Sequence, residues 1–309
     1  MRLSTLAAIA FPIAAFHAGQ QPTFSTSTSM VRLHVVVTNN AGAIAGLAAD
    51  DFIVYDAGVK QDFTLEALTE APLDLIAVVP PLASVALVSA EQVPRLASAL
   101  RAFAQEVTSG DRLAVISAGA PPAVLRSLEV GAPAFDLASI TGGPYAAPFD
   151  AISIALRTRT DDARRAAVVA FTNAADFRST ISFDRLVHLA GRLGPPLVLV
   201  GTPVRVSESY GAGAVDRRDG REVADTVLAE IRGFVFPSRL RSLAQRTGGI
   251  AVNLGEGDPA TLMKATFAWM RTSYLLSYRA PAGKGWHPVK VTVNRRGATV
   301  TVRDGYFVD

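Results

Sequence analysis

The chain has no cysteine. That absence excludes disulfides, thiolate metal sites, a cysteine nucleophile and the acylated cysteine of a bacterial lipoprotein. Lysine is scarce: Lys60, Lys264, Lys284 and Lys290 are the only ones among 30 cationic residues, and the arginines are spread along the chain rather than massed on one segment. With a net charge of +3 over 309 residues, nothing marks a nucleic-acid surface. Catalytic signatures are missing as well, since there is no Gly-x-Ser-x-Gly, no P-loop and no His-Glu-x-x-His zinc helix. Apart from His17, the histidines are His34, His188 and His287, too far apart to form a recognisable pair, and they read as structural residues. No repeat at a solenoid period is visible.

What is present is the composition of a packed globular protein, half hydrophobic and 18% charged. Its length suits one large α/β domain plus a smaller module. Arg2 followed by the apolar Leu3–Phe16 predicts a secretory leader over residues 1–19, too short to span a bilayer comfortably. Gln20 to Met30 reads as a Ser/Thr-rich linker. Val31, Leu33, Val35 and Val37 then alternate with Arg32, His34 and Val36, the period of a strand with one buried face. Further strands are predicted over Phe52–Tyr55 and Val59–Leu68, with an Asp56-Ala57-Gly58 turn between them. Three short strands cannot close a core alone. Tyr274–Ala280, Val289–Asn294 and Ala298–Arg303 are again strand-like, so the two sets are expected to pack into one β-sandwich with an α/β domain inserted between them.

Inside that domain Leu75–Val79 is a continuous apolar run, as in a strand buried on both faces, and it ends on Pro80-Pro81. Val93, Leu96, Leu100, Phe103 and Val107 form one stripe of a helix over Gln92–Thr108. Strands Leu113–Ser117, Ala166–Phe171, Leu197–Val200 and Ile250–Asn253 alternate with helices from Pro148, Phe183, Arg239 and Pro259, and Val124–Leu128 reads as a short edge strand. The charged, Gly-rich 205–233 segment reads as a surface insertion. Asp50-Asp51 and Asp161-Asp162 are taken as turn residues. Sites in open α/β sheets form at the carboxyl ends of the central strands, so the residues after Val79 are expected on the working edge.

The segments GDRLAVIS (Gly110–Ser117), GGPYAAPFDAI (Gly142–Ile152), RRAAVVAFTNAAD (Arg164–Asp176) and PPLVLVGTP (Pro195–Pro203), in this order, resemble a von Willebrand factor A domain. The flanks VRLHVVVTNNAGAIAGLAADDFIVYDAGVKQDF (Val31–Phe63), LRSLAQRTGGIAV and RTSYLLSYRAP resemble the bacterial VWFA-related secreted proteins. The resemblance implies an α/β, Rossmann-like and mostly parallel sheet between helices. It divides the chain into a signal peptide (1–19), an N-terminal β module (20–71), the A-like domain (72–273) and a C-terminal β segment (274–309).

The same family usually builds a metal-ion-dependent adhesion site from Asp-x-Ser-x-Ser, a Thr in a second loop and an Asp in a third. Here those positions fall on Pro80, Leu82 and Ser84, on Pro144 or Ala146, and on Asn173. One hydroxyl and one amide carry no negative charge to offset dehydration of a hard cation, so Mg²⁺ is expected to stay in water. Thr141, Asp150 and Asp176 lie near enough in sequence to rebuild an atypical site. The expected binding edge comprises Pro80, Leu82, Ser84, Gly142, Gly143, Pro144, Tyr145, Asn173 and Asp176. The function expected from the resemblance is a non-catalytic interaction or adhesion module, periplasmic or extracellular, whose partner is another envelope or extracellular protein. No metal, cofactor, nucleic acid or small-molecule substrate is expected. The alternatives are a cation-dependent adhesion module with displaced ligands, a structural spacer, and an enzyme built on the sheet edge.

Overall fold

The computed structural model of the protein describes residues 30–68, 71–88, 90–158, 160, 164–172, 176, 178–192, 194–201 and 238–308. The expected leader, the pair Asp161-Asp162, Asn173 and the expected 205–233 insertion lie outside these residues. The chain begins with β1 (Met30–Asn39), β2 (Gly42–Ala43), β3 (Phe52–Asp56), β4 (Val59–Gln61) and β5 (Thr64–Leu68). It continues through β6 (Leu73–Val79), α1 (Leu82–Val88), α2 (Val93–Glu106), β7 (Arg112–Ser117), β8 (Ala123–Val130), α3 (Pro148–Leu156) and β9 (Arg165–Thr172). Then come α4 (Phe183–Arg192), β10 (Leu197–Gly201), α5 (Ser238–Arg246), β11 (Ala251–Asn253), α6 (Pro259–Arg271), β12 (Ser273–Arg279), β13 (Gly285–Val293), β14 (Thr299–Thr301) and β15 (Gly305–Val308).

The α/β domain is built on a six-stranded sheet of order β11-β10-β9-β6-β7-β8. Every pairing is parallel except β7 with the edge strand β8. Counted from its first strand this is the doubly wound order 3-2-1-4-5-6. All seven residues of β6 are buried because helices cover both faces. Leu75, Ala77 and Val79 pack with Leu100, Phe103 and Phe267 of α2 and α6, whereas Ile76 and Val78 pack with Ile152, Leu186 and Leu243 of α3, α4 and α5. Phe103 meets Phe171 edge-on at 5.4 Å and Phe267 at 5.3 Å. After α5 the chain turns at Gly248, whose φ of +74° suits glycine, and Gly249 passes so close to β10 that a Cβ would sit 2.0 Å from the Leu197 carbonyl oxygen.

The remaining strands form two sheets, and each draws on both ends of the chain. One has the order β14-β1-β12-β5, with β2 also paired to β1, and the other is β15-β13-β3-β4. β1 and β12 are antiparallel in the register Met30↔Arg279 to Val35↔Tyr274, and β13 meets β3 from Val289↔Asp56 to Val293↔Phe52. Between the sheets Leu33, Val35, Phe52, Val54, Tyr274, Leu276, Tyr278 and Val291 share one core. The single strand expected over Val59–Leu68 is instead two, β4 and β5, which separate at Asp62-Phe63 and join different sheets. Asp56 is fully buried in the sandwich. It accepts hydrogen bonds from Tyr306 (2.6 Å) and Tyr278 (2.8 Å), and its other oxygen lies 3.1 Å from Nδ1 of His287.

The amino ends of the sheet strands are tied down by two buried carboxylates. Asp111 accepts from the Leu73 N–H (2.8 Å), from the N–H (2.8 Å) and hydroxyl (2.9 Å) of Thr108, and from both Arg271 terminal nitrogens (3.1 and 2.6 Å). One side chain thereby joins β6, the end of α2 and the end of α6. Asp74 accepts from Arg112 Nε (2.8 Å) and Arg164 Nε (2.7 Å). Burial alone would raise the Asp111 carboxyl, but the Arg271 guanidinium and the Leu73 and Thr108 donors more than offset this and hold it below its ordinary value of 3.8. The carboxylate therefore stabilises the fold above that value, and its contribution is lost as pH falls through the depressed folded pKa. Asp111→Asn, which leaves Arg271 without its counter-charge, is expected to cost about 3–5 kcal/mol in urea unfolding at neutral pH. The deficit should shrink as both proteins are acidified below the ordinary carboxylate range.

Candidate functional site

The loops after β6, β7 and β9 and the one before α3 meet at the carboxyl edge of the sheet, where ligands bind in open α/β folds. The backbone joins three of them. The Ala118 N–H donates to the Val79 carbonyl (2.8 Å), the Ala147 N–H donates to the Ala118 carbonyl (2.9 Å), and Gly119 bridges to Ala146.

Pro80 and Pro81 are buried, and the chain turns directly into α1, a helix the residue pattern did not announce. Pro80, expected on the binding edge, is therefore internal and offers a partner no surface. The two proline rings have no donor to present to solvent, and they extend the core over the strand ends. Leu82 is half-buried and packs against the cluster that contains Phe103. Ser84 is buried, and both its N–H (2.9 Å) and its hydroxyl (2.7 Å) donate to the Pro81 carbonyl. In the second loop Thr141, Gly142, Gly143, Pro144 and Tyr145 are exposed. Gly142 lies directly against the first loop, where a Cβ would stand 2.7 Å from Pro81 Cγ. The two loops thus meet by apolar packing where the family's pattern would place a cation.

The carboxylates that could have rebuilt a metal site have other partners. Asp150 lies in the first turn of α3, and its two oxygens accept the N–H groups of Thr180 and Ile181, each at 2.8 Å. Ser179 Oγ accepts the N–H groups of Phe149 (3.1 Å) and Asp150 (3.3 Å), donors that an α-helix leaves unpaired at its start. Asp176 Oδ1 accepts from the N–H of Ser179 (2.9 Å) and of Arg178 (3.2 Å). Burial pushes the Asp176 carboxyl above its ordinary value, the Ser179 N–H and hydroxyl and the Arg178 N–H pull it back, and the charge of Asp150 pushes it up again. This network holds the 176–181 loop onto the start of α3.

Set against a divalent cation, the residues do not fit. Pro80, Leu82 and Pro144 bring no side-chain oxygen, the Ser84 hydroxyl is committed to a carbonyl, and Asn173 lies outside the described residues. No group of three or more His, Asp or Glu side chains placed to hold a metal occurs among the described residues. What the edge does present is Tyr145, 43% exposed, with the Arg178 guanidinium 4.8 Å from the centre of its ring. That pairing escaped the sequence reading, because Tyr145 and Arg178 sit on different loops with no spacing rule linking them.

No family model matches the chain, and no curated protein matches it. Solved structures with a similar chain path include an aerotolerance-related membrane protein from Bacteroides fragilis, 12% identical, covering 64% of this chain and 98% of that one at a TM-score of 0.43. A von Willebrand factor type A protein from Catenulispora acidiphila is 12% identical and covers 90% and 73% at 0.43. Proximal thread matrix protein 1 from the mussel byssus, with a zinc-occupied adhesion motif, is 13% identical and covers 72% and 50% at 0.45. In this chain the doubly wound strand order, the helices on both faces and the single antiparallel edge strand define an α/β, Rossmann-like domain.

The Pro81–Gly142 contact is open to a direct test. Gly142→Ala forces the two loops apart and is expected to cost about 1–3 kcal/mol in denaturant unfolding. Gly143→Ala, whose added methyl would meet nothing within 4 Å, should change stability by less than about 0.5 kcal/mol.

Proposed function

We propose that the protein is a non-catalytic interaction module of the cell envelope or exterior, which contacts a partner protein through the carboxyl edge of the α/β sheet without a metal ion. The observation that carries this reading is the replacement of oxygen ligands by packing. Pro80 and Pro81 are internal, Ser84 is tied to Pro81, and Pro81 sits under Gly142, while Asp150 and Asp176 serve the α3 junction. The outer surface left by this closure is the exposed second loop, with Tyr145 flanked by Arg178. Tyrosine and arginine are enriched among the residues that dominate protein interfaces, since each couples a large contact area to a polar end. The apolar Leu3–Phe16 stretch behind Arg2 supports a location in the envelope. Among the described residues no helix is long and apolar enough to cross a membrane.

The burial of the two prolines also favours a second reading, in which the closed edge has no partner and the domain is a spacer for the sandwich. The two readings separate on one comparison. Cross-linking capture from envelope extracts should yield a discrete partner with the unaltered protein, and Tyr145→Ala combined with Arg178→Glu should weaken that capture by about tenfold or more while leaving the melting temperature unchanged. Equal capture by both proteins, or no discrete partner with either, would favour the spacer.

A further inference from the structure

The sandwich sheet β15-β13-β3-β4 turns one face away from the shared core. In its ladders Trp286 lies opposite Phe307, Pro288 opposite Gly305, Thr292 opposite Ile53, and Tyr55 between Lys290 and Lys60. Paired residues share a face, and the alternating His287, Val289 and Val291 are buried on the other one, so this set points outward. Ile53, Lys60, Trp286, Pro288 and Lys290 are exposed, and Tyr55 is half-buried. No carboxylate holds an outward position among the described residues of these four strands.

Two of the chain's four lysines therefore stand on this face, one on each side of Tyr55. Among the described residues neither forms an ion pair, although Asp51 precedes β3 and Asp62 follows β4; Asp51 is engaged with Arg295 at 3.4 Å. Asp309 lies outside the described residues, and its neighbour Val308 pairs with Gly285, about 17 Å along β13 from Lys290. Trp286 is fixed from behind. A Cβ at Gly305 would stand 2.5 Å from its Cζ2 and one at Gly191 of α4 3.4 Å from its Cζ3, and Phe307 meets the ring at 5.0 Å. An indole held in this way loses little freedom when a partner arrives. Helix α4 stands on the β15 end of the face through Gly191 and through His188, whose ring is 5.0 Å from Phe307. The exposed remainder lies at the foot of a step and not on a plane.

We propose that this face docks an acidic segment of a partner protein, with carboxylates over Lys60 and Lys290 and apolar side chains against Trp286, Tyr55 and Pro288. Charge complementarity sets the sign of the segment, because two ammonium groups stand there with no outward carboxylate between them. Tryptophan and tyrosine are enriched among the residues that dominate protein interfaces, and the lysine stems add apolar surface while their heads stay in water. The step made by α4 suits a convex protein segment better than a flat lipid surface. This face belongs to the sandwich and is separate from the carboxyl edge of the α/β sheet, so it neither needs nor tests the contact at Tyr145 and Arg178.

The chain has two tryptophans and Trp269 is buried, so a change in tryptophan emission on titration reports Trp286. The test titrates the purified protein with a glutamate–leucine copolymer, and in parallel with dextran sulfate and with phosphatidylglycerol vesicles, followed by emission and by isothermal titration. The copolymer should give a saturable emission shift, tighter than either of the other probes and weakened by added salt. Lys60→Glu combined with Lys290→Glu should reduce its affinity by about tenfold or more and leave the melting midpoint unchanged, whereas Lys60→Arg combined with Lys290→Arg should retain it. Trp286→Phe should abolish the emission change and, read by heat, weaken binding. Absence of both emission change and heat with the copolymer overturns the proposal, and so does an affinity that the double charge reversal leaves intact. Tighter binding of the vesicles or of dextran sulfate overturns it in favour of a lipid surface or an acidic polysaccharide.

Discussion

Strand β1 belongs to two cores at once, and the rest of the molecule is arranged around that constraint. Val31, Leu33, Val35 and Val37 enter the sandwich core, while Val36 packs into the cluster on the α2 and α6 side of the α/β domain. The side-chain period of a strand is two, so a slip of one residue against β12 would send the apolar set out of the sandwich and Arg32 and His34 into it. The pairing of β1 with β12 is therefore strongly specified, and it brings together segments more than two hundred residues apart in the chain. The α/β domain, inserted between them, shares a packed face with the sandwich through Val36.

The carboxyl edge follows a different economy from the one the family's pattern implies. A cation site links loops through charge, and its ligands must stay wet and exposed to exchange ions. Here the linkage is made by a proline ring under a glycine, by backbone bonds among Val79, Ala118 and Ala147, and by Asp150, Ser179 and Asp176 joining the third loop to a helix start. All of these contacts are satisfied within the chain. In the proposed reading, recognition falls to the exposed second loop and to Arg178.

Much of this was legible in the residues. The unbroken apolar run of Leu75–Val79, the alternation of β1 and the stripe of α2 each follow from burial on two faces, one face or one helical side. The parting of β4 from β5 was not, because Asp62-Phe63 carries no glycine or proline and the change of sheet is a tertiary event. Nor was the burial of Pro80 and Pro81, since a proline pair after a strand reads equally as an exposed turn. The roles of Asp111 and Asp150 depend on partners 160 and about 30 residues away, Arg271 and the 180–181 backbone, and no local pattern announces a bond across such distances. Trp286 is 43% exposed and leans on Phe307 at 5.0 Å, a contact between β13 and β15 that no local pattern announces.

Whether the carboxyl edge needs a cation is the central question for this protein. The decisive measurement is the melting temperature of the purified protein in EDTA, in millimolar Mg²⁺ and in millimolar Mn²⁺. A single midpoint across the three conditions is the predicted result. A rise of several degrees with either cation, reversed by EDTA, would contradict it and would place oxygen ligands at the edge in place of packing.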